Sequence, residues 1–152
     1  LGSQLRNVCS LISAGVQIPV FKVTLGSFDT HVNQRNQHRD LLRELDEALS
    51  DTVAALQQIG VWDKVAIITY SEFGRRAAEN GSRGTDHGTA APHFFLSGNV
   101  DGGIHGGIAD LEQLRKGDLI FKTDYREVFE FALRHHLKID QNIFSDFRMI
   151  AS

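Results

Sequence analysis

VQIPVFKVTLGSFDTHVNQRNQHRDLLRELDEALSDTVAALQQIGVWDKVAIITY, from Val16 to Tyr70, is the stretch on which the fold turns. It opens with a β-branched, apolar run, Val16 to Leu25, that reads as a strand, with Pro19 at its entrance because proline cannot donate to a central ladder. From about His38 to Ile59, Leu41, Leu45, Leu49, Val53 and Leu56 recur at helical spacing, with Asp40, Glu44, Asp46 and Glu47 on or near the wet side. Gly60 stops that helix, and Val65 to Tyr70 follows as a second apolar strand. Strand, long helix, strand predicts a βαβ crossover with parallel, neighbouring strands. The lack of apolar/polar alternation suits a sheet covered on both faces. The expected fold class is therefore α/β: three layers, with a mostly parallel sheet and helices on both faces.

Outward from this stretch, Leu5, Val8, Leu11 and Ile12 make Gln4 to Ala14 an amphipathic helix that Gly15 terminates. Downstream, Ser71 to Pro92 reads as a long glycine-rich, polar loop, of the kind that is usually functional or disordered. His93 to Leu96 is a short strand, Gly98 to Gly107 a glycine cluster, and Asp110 to Lys122 a turn region. A last helix spans about Tyr125 to Leu137, with Asp124 as N-cap and Glu127 completing a capping box. The tail from Ile139 has too little periodicity for an assignment. Without repeats or a visible boundary, residues 1–152 read as one domain.

The 152 residues are 41% hydrophobic and 23% charged, the balance of a globular domain with a real core. A net charge of −3 gives no electrostatic case for nucleic acid or an anionic membrane. No apolar run approaches the roughly 18 residues that span a bilayer. The single cysteine, Cys9, excludes an internal disulfide and falls in a helical pattern as a packed thiol. The chain begins at Leu1 and its one methionine is Met149, so a preceding segment is expected, together with any targeting signal.

In parallel α/β sheets, ligands gather beyond the carboxyl ends of the strands. Asp29 and His31 follow the first strand, Glu72 follows the second, and Asp86 and His87 lie on the loop leaving that edge. Singly, each has a plainer reading. Asp29 could form an Asx-turn, Glu72 could pair with Arg75 or Arg76, and Asp86-His87 could be turn residues. Together on one edge, carboxylates and imidazoles make a divalent-metal site, zinc first, with manganese or calcium as alternatives. Arg75 is placed to hold a phosphate, sulfate or carboxylate in a bidentate fork. The remaining histidines read as solvated, packed or, for His135 and His136, helix-terminal groups.

Phe28-Asp29-Thr30-His31, Ser71-Glu72-Phe73-Gly74-Arg75, Gly84-Thr85-Asp86-His87-Gly88 and Thr123-Asp124-Tyr125-Arg126, in that order, resemble a bacterial family of exported proteins of unknown function. Its members commonly carry twin-arginine signals, and the family belongs to the alkaline phosphatase/sulfatase-like superfamily. The resemblance implies an alkaline phosphatase-like fold, of which this chain is the C-terminal portion, and a periplasmic or exported location. It implies one or two metal ions, one held by Asp29, His31 and His87, with Glu72 serving a second. An alternative alignment gives Asp86 and His87 to that second ion. Phe73 stands where the second ion's histidine would be, and the nucleophile would lie in the N-terminal part of the same domain. The activity implied is metal-dependent hydrolysis of a small anionic phosphate or sulfate ester, incomplete in this chain. The alternative is a non-catalytic exported metal- or ligand-binding protein.

Overall fold

The computed structural model of the protein describes residues 1–140. Helix α1 (Gly2–Ser13) packs against α2 (Gln34–Gln58). Strand β1 (Ala66–Ile68) follows, then the hairpin of β2 (Gly74–Glu79) and β3 (Thr85–Gly88), then β4 (Phe95–Ser97). A small hairpin of β5 (Leu114–Arg115) and β6 (Asp118–Leu119) precedes α3 (Tyr125–Phe131), which continues as a π-turn through Ala132–His136.

The helices form where the 3.6-residue period places apolar side chains on one face. Leu5 of α1 and Ala48, Thr52 and Leu56 of α2 are buried. α2 begins one turn earlier than its apolar stripe suggests, at Gln34 behind Asn33, whose φ of 47° is left-handed. At α3 the capping box forms: Asp124 accepts from the Arg126 amide at 2.9 Å, and the Asp124 amide donates to Glu127 at 3.4 Å. Phe131 of α3 meets Phe95 of β4 edge-on, with ring centroids 5.3 Å apart. Cys9 is half-buried, and burial raises its thiol pKa, as for a packed cysteine.

The expected three-layer, mostly parallel α/β architecture does not form. Three two-stranded antiparallel sheets take its place: β1 with β4, β2 with β3, and β5 with β6. Neither the βαβ crossover nor the incomplete alkaline phosphatase-like sheet is present among the described residues. Two local causes stand out. The Val16 to Leu25 run joins no ladder; both backbone groups of Thr24 are taken by the Gln4 side chain of α1, at 3.0 and 3.1 Å. The Ile18 amide closes on Val16 O at 3.2 Å, and Pro19 has no N–H to offer. Gln4 thus supplies from a helix the donor and acceptor that a neighbouring strand would have supplied. The second cause is the polar stretch after Tyr70, which folds back on itself as a hairpin. It returns the chain so that Phe95, Leu96 and Ser97 pair antiparallel with Ile68, Ile67 and Ala66. The tail beyond residue 140, unassigned from sequence, lies outside the described residues.

Candidate metal centre

Two segments build the site, and each is held by hydrogen bonds of its own. The first is the turn Phe28–His31. The Thr30 amide and hydroxyl both donate to Phe28 O, at 2.8 and 3.4 Å, which curls the backbone around Asp29. Ser27, with φ of 69°, and Asn33 bracket this segment in left-handed conformations. Thr30 is 3% exposed. Its carbonyl and hydroxyl accept from Gln34 Nε2 at 3.0 and 2.9 Å, and Gln34 Oε1 accepts from the Thr85 hydroxyl at 3.0 Å.

The second segment is the β2–β3 hairpin. Its tip is Asn80-Gly81-Ser82-Arg83-Gly84, where Asn80 Oδ1 accepts from the amides of Ser82 and Gly84 at 2.9 and 3.1 Å. The tip docks on the first segment. Asn33 and Gln34 amides donate to Ser82 O and Arg83 O at 3.0 Å, and Asn80 Nδ2 donates to His31 O at 3.2 Å. Gly84 permits this approach: a Cβ there would stand 2.2 Å from His31 O. Within the hairpin His87 lies opposite Arg75.

This docking brings Asp29, His31 and His87 together. Asp29 Oδ1 lies 2.7 Å from Nε2 of each histidine, and the two Nε2 atoms are 3.1 Å apart. Both imidazoles can donate Nε2–H to the shared Asp29 oxygen, but this crowds the two N–H groups side by side at 3.1 Å. An imidazole nitrogen that carries a proton cannot accept, and one without a proton cannot donate. If one ring does not donate, its lone pair faces the ionised carboxylate oxygen. A cation between the three atoms resolves all three contacts at once. Tetrahedral zinc, with ligands at about 2.0–2.1 Å, sets its donor atoms about 3.3 Å apart, so movements of about half an ångström admit it. The residues therefore fit the ion. The Asp29 carboxyl is held below its ordinary value, chiefly by the hydrogen bond from His87 and also by His31, so it is ionised and ready to ligate.

The rings are supported from outside. Phe73 stacks on His87, with centroids 3.9 Å apart and planes 7° from parallel. Asp86 Oδ1 stands 3.8 Å from His31 Nδ1, the nitrogen away from the triangle, and accepts from Asn80 Nδ2 at 3.2 Å. A carboxylate behind a ligating imidazole is the usual outer partner of a metal-bound histidine. The side chains of Asp29, His31 and His87 stay 40–64% exposed, so solutes reach them.

The other two expected residues are placed apart from the cluster. Glu72 is exposed, outside the three-residue group, and makes no hydrogen bond or ion pair among the described residues. The Arg75 guanidinium donates to Phe28 O at 2.5 Å and Thr85 O at 2.6 Å, joining the two segments by their backbones. It also lies 5.1 Å from the Phe73 ring centre. Sequence reasoning missed Phe73 as a support, reading it only as a residue unable to ligate. It also missed the hairpin, although Asn80-Gly81 is a recognised turn signal.

No curated protein and no solved structure is significantly similar to the chain. A family model described as "protein of unknown function (DUF1501)" matches residues 9–118, a span that holds α2, the β2–β3 hairpin and every residue of the cluster. On that match the chain belongs to the DUF1501 family of proteins of unknown function.

Proposed function

We propose that the protein holds one divalent cation, zinc first, on Asp29, His31 and His87, and acts there as a metal-dependent hydrolase of small phosphate or sulfate esters. The observation that carries this reading is the close triangle of one carboxylate oxygen and two imidazole nitrogens, whose crowding a shared cation would relieve. The order of the motifs Phe28–His31 and Thr85–His87, which resembles a phosphatase and sulfatase superfamily, supports the chemistry.

When bound, such an ion supplies Lewis acidity, polarising an ester oxygen and stabilising negative charge. The chain's own residues hold and tune the site. Asp29 contributes a full negative charge, and His31 and His87 present their Nε2 atoms as neutral donors. Asp86 faces the outer nitrogen of His31 and favours the tautomer that keeps Nε2 unprotonated. Phe73 limits rotation of His87. Arg75 and Thr30 fix the distance between the two segments. Open water on the exposed side is available as nucleophile.

The second reading is a metal-binding protein without turnover. It is favoured by the finding that the described residues offer one such group, with Glu72 outside it. Zinc stoichiometry by elemental analysis tests the site: about one ion per chain is expected, and none in the His31→Ala, His87→Ala double variant. Equal metal content in both proteins would sink the assignment. Turnover of aryl phosphate and aryl sulfate by the zinc-loaded protein then separates the two readings; a loaded but inert protein is the binding protein.

A further inference from the structure

A second feature also involves Arg75. A cleft of about 470 Å³ is lined by Arg35, His38, Arg39 and Leu42 of α2, together with Arg75. That volume is in the range of small-molecule sites. Arg35, Arg39 and Arg75 line it and no carboxylate does; the Arg75 guanidinium is hydrogen-bonded to Phe28 O and Thr85 O, so Arg35 and Arg39 supply the donors.

The charge set is costly to the helix that carries it. Arg35 and Arg39 are one turn apart on α2, a like-charge spacing that destabilises a helix. α2 has no acidic residue in its first turn, and its first carboxylate is Asp40. Asp40 reaches Arg39 at 3.3 Å and Arg43 at 3.3 Å, so it partly offsets Arg39 alone. Arg35 makes no ion pair among the described residues. His38 adds a buried Nδ1 without a hydrogen-bond partner. Burial, followed by the Arg75 charge, holds that ring below the ordinary imidazole value, so the positive charge of the cleft comes from the guanidinia. Leu42, 46% exposed, gives the cleft an apolar wall beside these donors.

We infer that this cleft binds a small organic anion, a phosphate- or sulfate-class head group on an apolar body. Planar guanidinia match the tetrahedral oxyanion in a bidentate fashion, and Leu42 receives the body. The site is separate from the Asp29–His31–His87 cluster and does not depend on a metal.

Calorimetric titration of the metal-free protein with phenyl phosphate, at fixed ionic strength, tests it. Saturable one-to-one binding is expected in the wild type and, within twofold, in the His31→Ala, His87→Ala variant. Arg35→Ala with Arg39→Ala is expected to weaken it at least tenfold, and Arg35→Lys with Arg39→Lys by less, since the charge remains and the fork is lost. Both arginines are exposed, so these variants keep the fold. Inorganic phosphate is expected to bind more weakly than phenyl phosphate, because it leaves Leu42 uncovered. Three results overturn the inference: no saturable binding, binding unchanged in the double alanine variant, or binding lost with the two histidines. The last would place the anion at the cluster instead.

Discussion

Phe73 is unable to ligate, yet it lies face to face with His87 at 3.9 Å. A ring held this way loses little rotational freedom when an ion arrives, so the support converts to affinity. Outer partners of metal ligands typically carry about 10–100-fold in affinity. Phe73→Ala is expected to weaken zinc binding by about tenfold, while Phe73→Tyr keeps the stacking surface and stays near wild type. Competition titration with a zinc chelator reads both; equal affinity in all three proteins would remove the support role. Two other histidines respond to pH. Burial and then the Arg75 charge lower His38, and burial lowers His93. Each therefore binds a proton less readily folded than unfolded, and its stabilising contribution is present above the ordinary imidazole value. That contribution is lost as pH falls through the lower folded value. Thermal midpoints should decline below about pH 6.5, and less steeply in the His38→Gln, His93→Gln variant than in the wild type. A parallel decline in both proteins would refute the assignment. At this scale Asp29, His31 and His87 could be singled out from residue type and neighbourhood. What brings them together was not legible, because it rests on hairpin docking rather than on a shared sheet edge.

The hairpin is the element on which the cluster depends, and its tip has two glycines with opposite tolerances. At Gly84 an added Cβ would lie 2.2 Å from His31 O, whereas at Gly81 nothing lies within 4 Å. Gly84→Ala should cost about 1–3 kcal/mol through overpacking and also lower zinc affinity, since it pushes His87 away from His31. Gly81→Ala should stay within about 0.5 kcal/mol with metal binding intact. Denaturation and zinc titration of the pair check this, and equal behaviour of the two variants would refute the docking. At α3, Asp124→Ala removes the capping box and should cost about 1 kcal/mol, seen as a lower thermal midpoint with unchanged zinc binding. The helices were legible because a 3.6-residue apolar period is a long, redundant signal, and Asp124 with Glu127 marks a start that the structure reproduces. The strands were not. A short apolar run such as Val16 to Leu25 carries no information on its partner or direction, and Gln4 took the place of a strand at Thr24. The bulge between Arg75 and Glu79 breaks the alternation that would have revealed β2.

At the scale of the whole molecule, composition promised a larger core than the described residues form. Four apolar residues are buried among the described ones: Leu5, Ala48, Leu56 and Ala132. Val20, Ile104, Ile108 and Leu111 are each at least 66% exposed. The chain exposes 11,315 Å², against about 7,700 Å² for a folded monomer of its mass. Unfolded, a chain of this mass exposes about 24,500 Å², so folding hides a little over half of it rather than the usual ~70%. The denaturant slope m and the heat capacity of unfolding both scale with the surface exposed. Both should therefore be about four-fifths of the values for a typical domain of this length. Urea denaturation followed by circular dichroism, repeated across a hundredfold range of protein concentration, measures m and tests for association together. A reduced m that does not change with concentration is the expected result. A full-sized m with a midpoint that rises with concentration would show instead that copies of the chain cover these apolar faces in solution. The 11,315 Å² exposed by the isolated chain would then overstate what the protein leaves in water.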